Sequence, residues 1–214
     1  MARARRAGVL ATLAAIVICA GALAACGSSN DSDQNVSAAA SLRSAFTAYA
    51  RTLHGVAVRY SFAGSDALAA QIEQGVRPDV FASANTKLPD ALYAKHLVEA
   101  PVVFAGNKLV LAVPAGSHVR SLADLEQPEV TIAVGSATVP VGTYTEAVLA
   151  RLPPTRRARL ASNIRDREPD VTGIVGKLSE GAVDAGFLYA TDVRAAGGRL
   201  RAIDLPASLQ PDVA

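Results

Sequence analysis

Val36-Ser37-Ala38-Ala39-Ala40-Ser41-Leu42 is the stretch around which the chain is organised. Small residues run up to a serine, and beyond it Leu42, Ala45, Phe46, Tyr49, Ala50 and Leu53 recur at helical spacing. The pattern predicts a buried strand that turns directly into an amphipathic helix, with Ser41 at the N-cap. A helix start carries backbone N–H groups that have no partner inside the helix, and its dipole favours negative charge. Small side chains before it let another group approach the backbone, so the turn suits an anion. Most serine caps satisfy only their own helix, and recurrence is what gives this one weight.

The device recurs. Residues 56–62 read as a second strand, Ala63-Gly64-Ser65 turns the chain, and Leu68, Ala69 and Ile72 follow at helical spacing up to Gly75. A short strand, Asp79-Val80-Phe81-Ala82, and a helix over 87–96 come next. Pro101-Val102-Val103-Phe104 and residues 108–113 read as one long extended segment that crosses into a second lobe. There a short helix near 121–125 precedes the strand 130–134, and Gly135 to Gly142 forms a small-residue loop into a helix carrying Tyr144, Val148 and Leu152. Asp170 is the natural cap of a helix on which Val171, Ile174, Val175 and Leu178 share a face. Residues 182–189 form a strand that ends in Tyr189, and 200–205 a return strand. Strands alternating with helices imply a parallel-rich α/β fold, whose ligands bind at the carboxyl ends of the strands. Four helix starts, two serines and a tyrosine hydroxyl therefore converge on one cleft. All are neutral donors, and a dehydrated oxyanion is held by many such donors acting together.

The first residues read as an address. Arg3, Arg5 and Arg6 precede the apolar run 8–22, and Leu23-Ala24-Ala25-Cys26 resembles a bacterial lipobox, cut before a cysteine that takes a lipid. The expected division is a signal over 1–25, a polar tether over 26–35, lobe one over 36–108 with 198–214, and lobe two over 109–197. Cys19 and Cys26 are the two cysteines, so the mature domain has no disulfide. Of 21 basic residues three lie in the signal, leaving 18 against 19 acidic ones, a charge of about −1. That balance gives no nucleic-acid footprint.

Taken together, Ala38-Ala39-Ala40-Ser41-Leu42, Phe62-Ala63-Gly64-Ser65, Asp79-Val80-Phe81-Ala82-Ser83-Ala84, Gly106-Asn107-Lys108-Leu109-Val110, Val139-Pro140-Val141-Gly142 with Tyr144, and Gly186-Phe187-Leu188-Tyr189 resemble the periplasmic molybdate-binding proteins of ABC importers. The resemblance covers residues 36–205. It implies a two-lobed, class II solute-binding fold, each lobe a mixed, mostly parallel sheet flanked by helices. It further implies that Ser41 and Ser65 donate from lobe one, Val141 and Val171 donate backbone N–H groups from lobe two, and Tyr189 adds its hydroxyl. The ligand would be molybdate and also tungstate, with sulfate or phosphate as the alternative. No protein atom would ligate the metal directly and no cofactor is implied. The partners would be ABC permease subunits and, through Cys26, the outer face of the cytoplasmic membrane, with the protein itself a monomer.

Two positions depart from the family's pattern. Asp66 stands where a small or neutral residue is more common, and is expected to face outward as a first-turn acid. Facing inward, it could accept a proton from hydrogen phosphate. The chain also stops at Ala214, where the family continues through a strand and helix that complete lobe one, so an exposed sheet edge is expected there. A serine hydrolase is the alternative of a different class, and an enzyme is not expected. Ala63-Gly64-Ser65-Asp66-Ala67 lacks the spacing of a nucleophile elbow, and His54, His96 and His118 accompany no nucleophile pattern. The effector domain of a transcription regulator can share this fold, but the export signal argues against it.

Overall fold

The structure is a computed structural model and describes residues 33–213. The signal segment and Cys26 lie outside the described residues.

The first lobe is built from β1 (Asp33–Ala39), a 3-10 turn (Ala40–Leu42), α1 (Arg43–Ala50), β2 (Ala57–Ala63), α2 (Ser65–Glu73), β3 (Val80–Ala82) and α3 (Lys87–Ala94). Its sheet has the order β2-β1-β3, with both pairings parallel. β1 is central, which explains why its final residues carry no bulky side chains: Ala38 and Ala39 are covered on both faces. It starts earlier than expected. Asp33, Gln34 and Asn35, assigned by sequence to the tether, pair with Ala57, Val58 and Arg59, and Asp33 holds Arg59 at 2.7 Å.

The second lobe contains β4 (Leu109–Pro114), a 3-10 turn (Asp124–Glu126), β5 (Ile132–Gly135), α4 (Pro140–Ala150), α5 (Pro154–Ser162), β6 (Ile164–Glu168), α6 (Val171–Ser179), β7 (Ala185–Tyr189), α7 (Ala190–Ala195) and β8 (Leu200–Asp204). Its sheet runs β6-β5-β7-β4-β8, with β4 antiparallel to both neighbours. The inner strands β4, β5 and β7 are buried almost throughout, so their sequences are near-continuous apolar runs. β6 was not legible as a strand: Ile-Arg-Asp-Arg-Glu alternates between half-buried and exposed on the sheet edge, where charge discourages further pairing.

Two expectations about chain path are corrected. Residues 198–214 do not join the first sheet. β8 pairs with β4 from Val110↔Asp204 to Pro114↔Leu200, and Val213 forms an antiparallel bridge with Asn107 at the crossover. The segment Pro101-Val102-Val103-Phe104 is not a strand and lies exposed, Val102 at 81%. β-branched residues favour extended backbone, but with no neighbouring strand in register there is no sheet to join.

The core is unevenly shared. One continuous cluster fills the second lobe, and Ala40 and Ala84 from the first lobe pack into it. The first lobe has two small clusters, around Val36, Ala38 and Ala82 and around Ala69, Ile72 and Leu92. α1 buries no residue fully; Leu42 just before it and Phe46 on it are half-covered, whereas Tyr49 is exposed.

Candidate functional site

Ser41, Ser65, Val141, Val171 and Tyr189 line one cavity between the lobes. Ala39, Ala40, Ala63, Gly64, Ala84, Val139, Pro140 and Asp170 complete its wall. Its volume is about 20 Å³, somewhat above the roughly 10–15 Å³ that a single water needs. No lysine, arginine or histidine is among the lining residues. Positive character at this cavity comes from backbone and hydroxyl dipoles.

The two serines sit one step from where sequence put them. Ala39 and Gly64 are the extended residues before the helical turns, with ψ of 143° and 139°, so they take the N-cap places. Ser41 lies inside the 3-10 turn and Ser65 at the first position of α2, and neither hydroxyl caps its own helix. Ser65 is 1% exposed, and its Oγ accepts the Ala84 N–H at 3.1 Å. That leaves the hydroxyl proton to donate elsewhere.

From the second lobe come two helix starts. Pro140 opens α4, which suits a residue without an N–H, and Val141 follows as the first position with a donor. The Val139 N–H is used by Ser136 O at 3.1 Å, and Thr143 N–H is the one that turns back to Val139 O at 2.9 Å. Val141 N–H thus falls among the donors a helix cannot use itself. Gly142 beside it is dictated by space, because a Cβ there would lie 2.7 Å from Gly135 O. On α6, Asp170 is the N-cap that sequence assigned, and its Oδ1 accepts Thr172 N–H at 2.7 Å and Gly173 N–H at 3.4 Å. Those bonds satisfy the second and third positions and leave the N–H of Val171, at the first.

Tyr189 ends β7 and is 2% exposed, yet its hydroxyl has no hydrogen-bond partner among the described residues. Burial, reinforced by Tyr144 and Asp192, holds its pKa well above the ordinary phenol value, so the oxygen keeps its proton. An orphaned buried hydroxyl costs about 1–3 kcal/mol, which a ligand oxygen would recover.

Sequence reading missed Asp192, whose Oδ2 accepts the Tyr189 N–H at 3.1 Å and orients the end of β7. Burial pushes its pKa up to about 7, against the lowering effect of that N–H, with Asp170 adding a smaller upward push. An acid three residues after a strand-ending residue at a helix start was the available signal. Asp66 does not line the cavity; its Oδ2 accepts from Thr138 Oγ1 at 2.9 Å. A wider groove of about 450 Å³, bordered by the exposed 101–106 segment, adjoins the cavity and shares Ser41, Ala84 and Tyr189 with it.

Residues 35–214 match the family described as bacterial extracellular solute-binding protein. The molybdate-binding protein ModA of Mycobacterium tuberculosis is 35% identical over 182 residues, covering 80% of this chain and 66% of that protein. The protein of the same name from Haemophilus influenzae is 35% identical over 150 residues, covering 64% of this chain and 56% of its own length. The chain therefore spans less than two thirds of the length of these curated relatives. The periplasmic molybdate-binding protein of Azotobacter vinelandii shares the fold, with a TM-score of 0.66 at 24% identity over 85% of each chain.

Proposed function

The chain belongs to the family of bacterial extracellular solute-binding proteins, and on that footing we propose that it captures a small tetrahedral oxyanion outside the cytoplasmic membrane and delivers it to an ABC importer. Molybdate is the proposed ligand, with tungstate accepted alongside it, and ABC permease subunits are the proposed partners. The observation that carries this reading is the buried Tyr189 hydroxyl without a partner, beside a small cavity flanked by two serines and two helix starts.

Chemistry supports the same choice: the donors are neutral, hold their protons and come from several directions, which suits a fully deprotonated dianion. The relatives named as molybdate-binding proteins add weight. Asp66, the acceptor that sequence suggested for hydrogen phosphate, lies off the cavity and accepts from Thr138. A phosphate proton would therefore have to go to Asp170 in the wall, whose Oδ1 already accepts Thr172 N–H and Gly173 N–H. A binding role is proposed, and the family's description as solute-binding proteins supports it. Lipid attachment at Cys26 and a monomeric state complete the proposal, the first resting on the residue pattern of the leader.

Calorimetric titration of the chain with molybdate, tungstate, sulfate and phosphate tests the reading. Saturable binding of molybdate and tungstate, with sulfate and phosphate weaker, is expected. Binding of phosphate alone, or of none of the four, would overturn it.

A further inference from the structure

The lobes touch along a seam beside the cavity. Gly64, at the start of α2, approaches the loop before α6 so closely that a Cβ built on it would lie 2.6 Å from Pro169 O and 3.6 Å from Val139 Cγ1. Its φ is −57°, an ordinary value, so glycine is needed here for clearance and not for backbone freedom. Two residues on, Asp66 Oδ2 accepts the Thr138 hydroxyl at 2.9 Å across the same seam, joining positions 72 apart in sequence. Thr138 belongs to the loop between β5 and α4, three residues before Val141, and Asp66 directly follows Ser65. The bond therefore ties together two backbone turns that each present a candidate ligand-binding residue.

Its chemistry suits a contact that must both hold and let go. A carboxylate acceptor makes the bond stronger than a neutral one. The pair is solvent-exposed, so water can satisfy both groups when the lobes part and no unpaired buried charge opposes opening. The carboxylate is also outside the cavity wall.

We propose that Asp66 and Thr138 form a latch between the lobes that holds the closed state and slows release of the bound oxyanion. The inference rests on the reading of the cavity as an oxyanion site, and it assigns a role to the one residue that departs from the family pattern there.

Two measurements on the full chain test it. In stopped-flow release of molybdate, Asp66→Ala and Thr138→Val are each expected to raise the dissociation rate about 3- to 10-fold, the worth of one solvent-accessible hydrogen bond. The double variant should be no faster than either single one, as for two partners of a single bond. Asp66→Asn, which keeps an acceptor oxygen but loses the charge, should fall between the original and Asp66→Ala. Multiplying effects, no effect, or an Asp66→Asn variant as fast as Asp66→Ala would overturn the latch. The second measurement needs no ligand: amide exchange over residues 63–66 and 136–142 should quicken in Thr138→Val. If the chain binds none of the oxyanions, the function reading fails, and unchanged exchange in that variant would independently remove the latch.

Discussion

Tyr189 and Ser65 both line the cavity and both carry a hydroxyl, but deleting each oxygen should read out differently. The Tyr189 hydroxyl is buried without a partner, so Tyr189→Phe removes a liability from the ligand-free protein and should leave its stability equal or raise it by about 1 kcal/mol. Oxyanion affinity should still fall by about 1.5–3 kcal/mol, the range for a hydrogen bond to a charged group. Ser65→Ala should weaken binding by about the same 1.5–3 kcal/mol, but it also strands the Ala84 N–H that Ser65 Oγ accepts, so stability should drop as well. Thermal unfolding without ligand, alongside calorimetric titration, separates the two. Loss of stability in Tyr189→Phe would show that the hydroxyl has a structural partner. Asp192 makes a pH prediction of definite sign. Burial raises its folded pKa to about 7 from 3.8, so between about pH 4 and pH 7 the folded state holds a proton that the unfolded chain has lost. Stability therefore falls as pH rises through that window and stays lower above it, by on the order of 2–4 kcal/mol from this one group. In Asp192→Asn, which has nothing to ionise there, the ligand-free protein should gain on the original chain as pH rises from 4 to 8. Parallel pH profiles for the two would show that Asp192 ionises freely.

At the level of elements, legibility depended on how much of the determining physics is local. α6 was readable in full because its cap, Asp170, and its buried face, Val171, Ile174 and Leu178, all lie in one short run. Gly75 was readable as a helix stop for the same reason: its φ of +109° and the back-bond from Val76 N–H to Gln71 O follow from adjacent residues. The serine turns were found but misplaced by one residue. Ser41 and Ser65 looked like caps, whereas the extended backbone at Ala39 and Gly64 sets the helix starts and leaves the serine hydroxyls out of the capping bonds. What failed was pairing. Nothing within residues 200–204 says that they lie beside β4 and not in the first lobe, because register is set by the partner strand. β6 was missed because its charged alternation makes sense only once it is known to be an edge. The cavity residues were legible as a set because four follow a strand end and Tyr189 is one, and parallel strands bring their carboxyl ends to one place. Asp66–Thr138, a contact between the first turn of α2 and a loop of the other lobe, left no trace in either local sequence.

Over the whole molecule the unequal cores set what ligand binding must do. The second lobe folds around a continuous cluster that includes β4, β5, β7, α4 and α6, while the first lobe relies on two small clusters and a helix, α1, with no fully buried residue. Local stability follows buried apolar contact, so amides of α1 and β2 should exchange far faster than those of β4, β5 and β7 in the ligand-free chain. The cavity, however, takes Ser41 and Ser65 from the weak lobe and Val141, Val171 and Tyr189 from the strong one. An oxyanion bound to all five loses donors whichever lobe opens, so its binding free energy should protect both. At a free molybdate concentration 100 times the dissociation constant the gain is about 2.7 kcal/mol. The expected result is that molybdate slows exchange in the turns after β1 and β2 by a factor comparable to that in the first turns of α4 and α6, drawing the two lobes into one cooperative unit. Protection confined to α4, α6 and β7 would mean that the ligand rests on the second lobe alone and that Ser41 and Ser65 do not bind it.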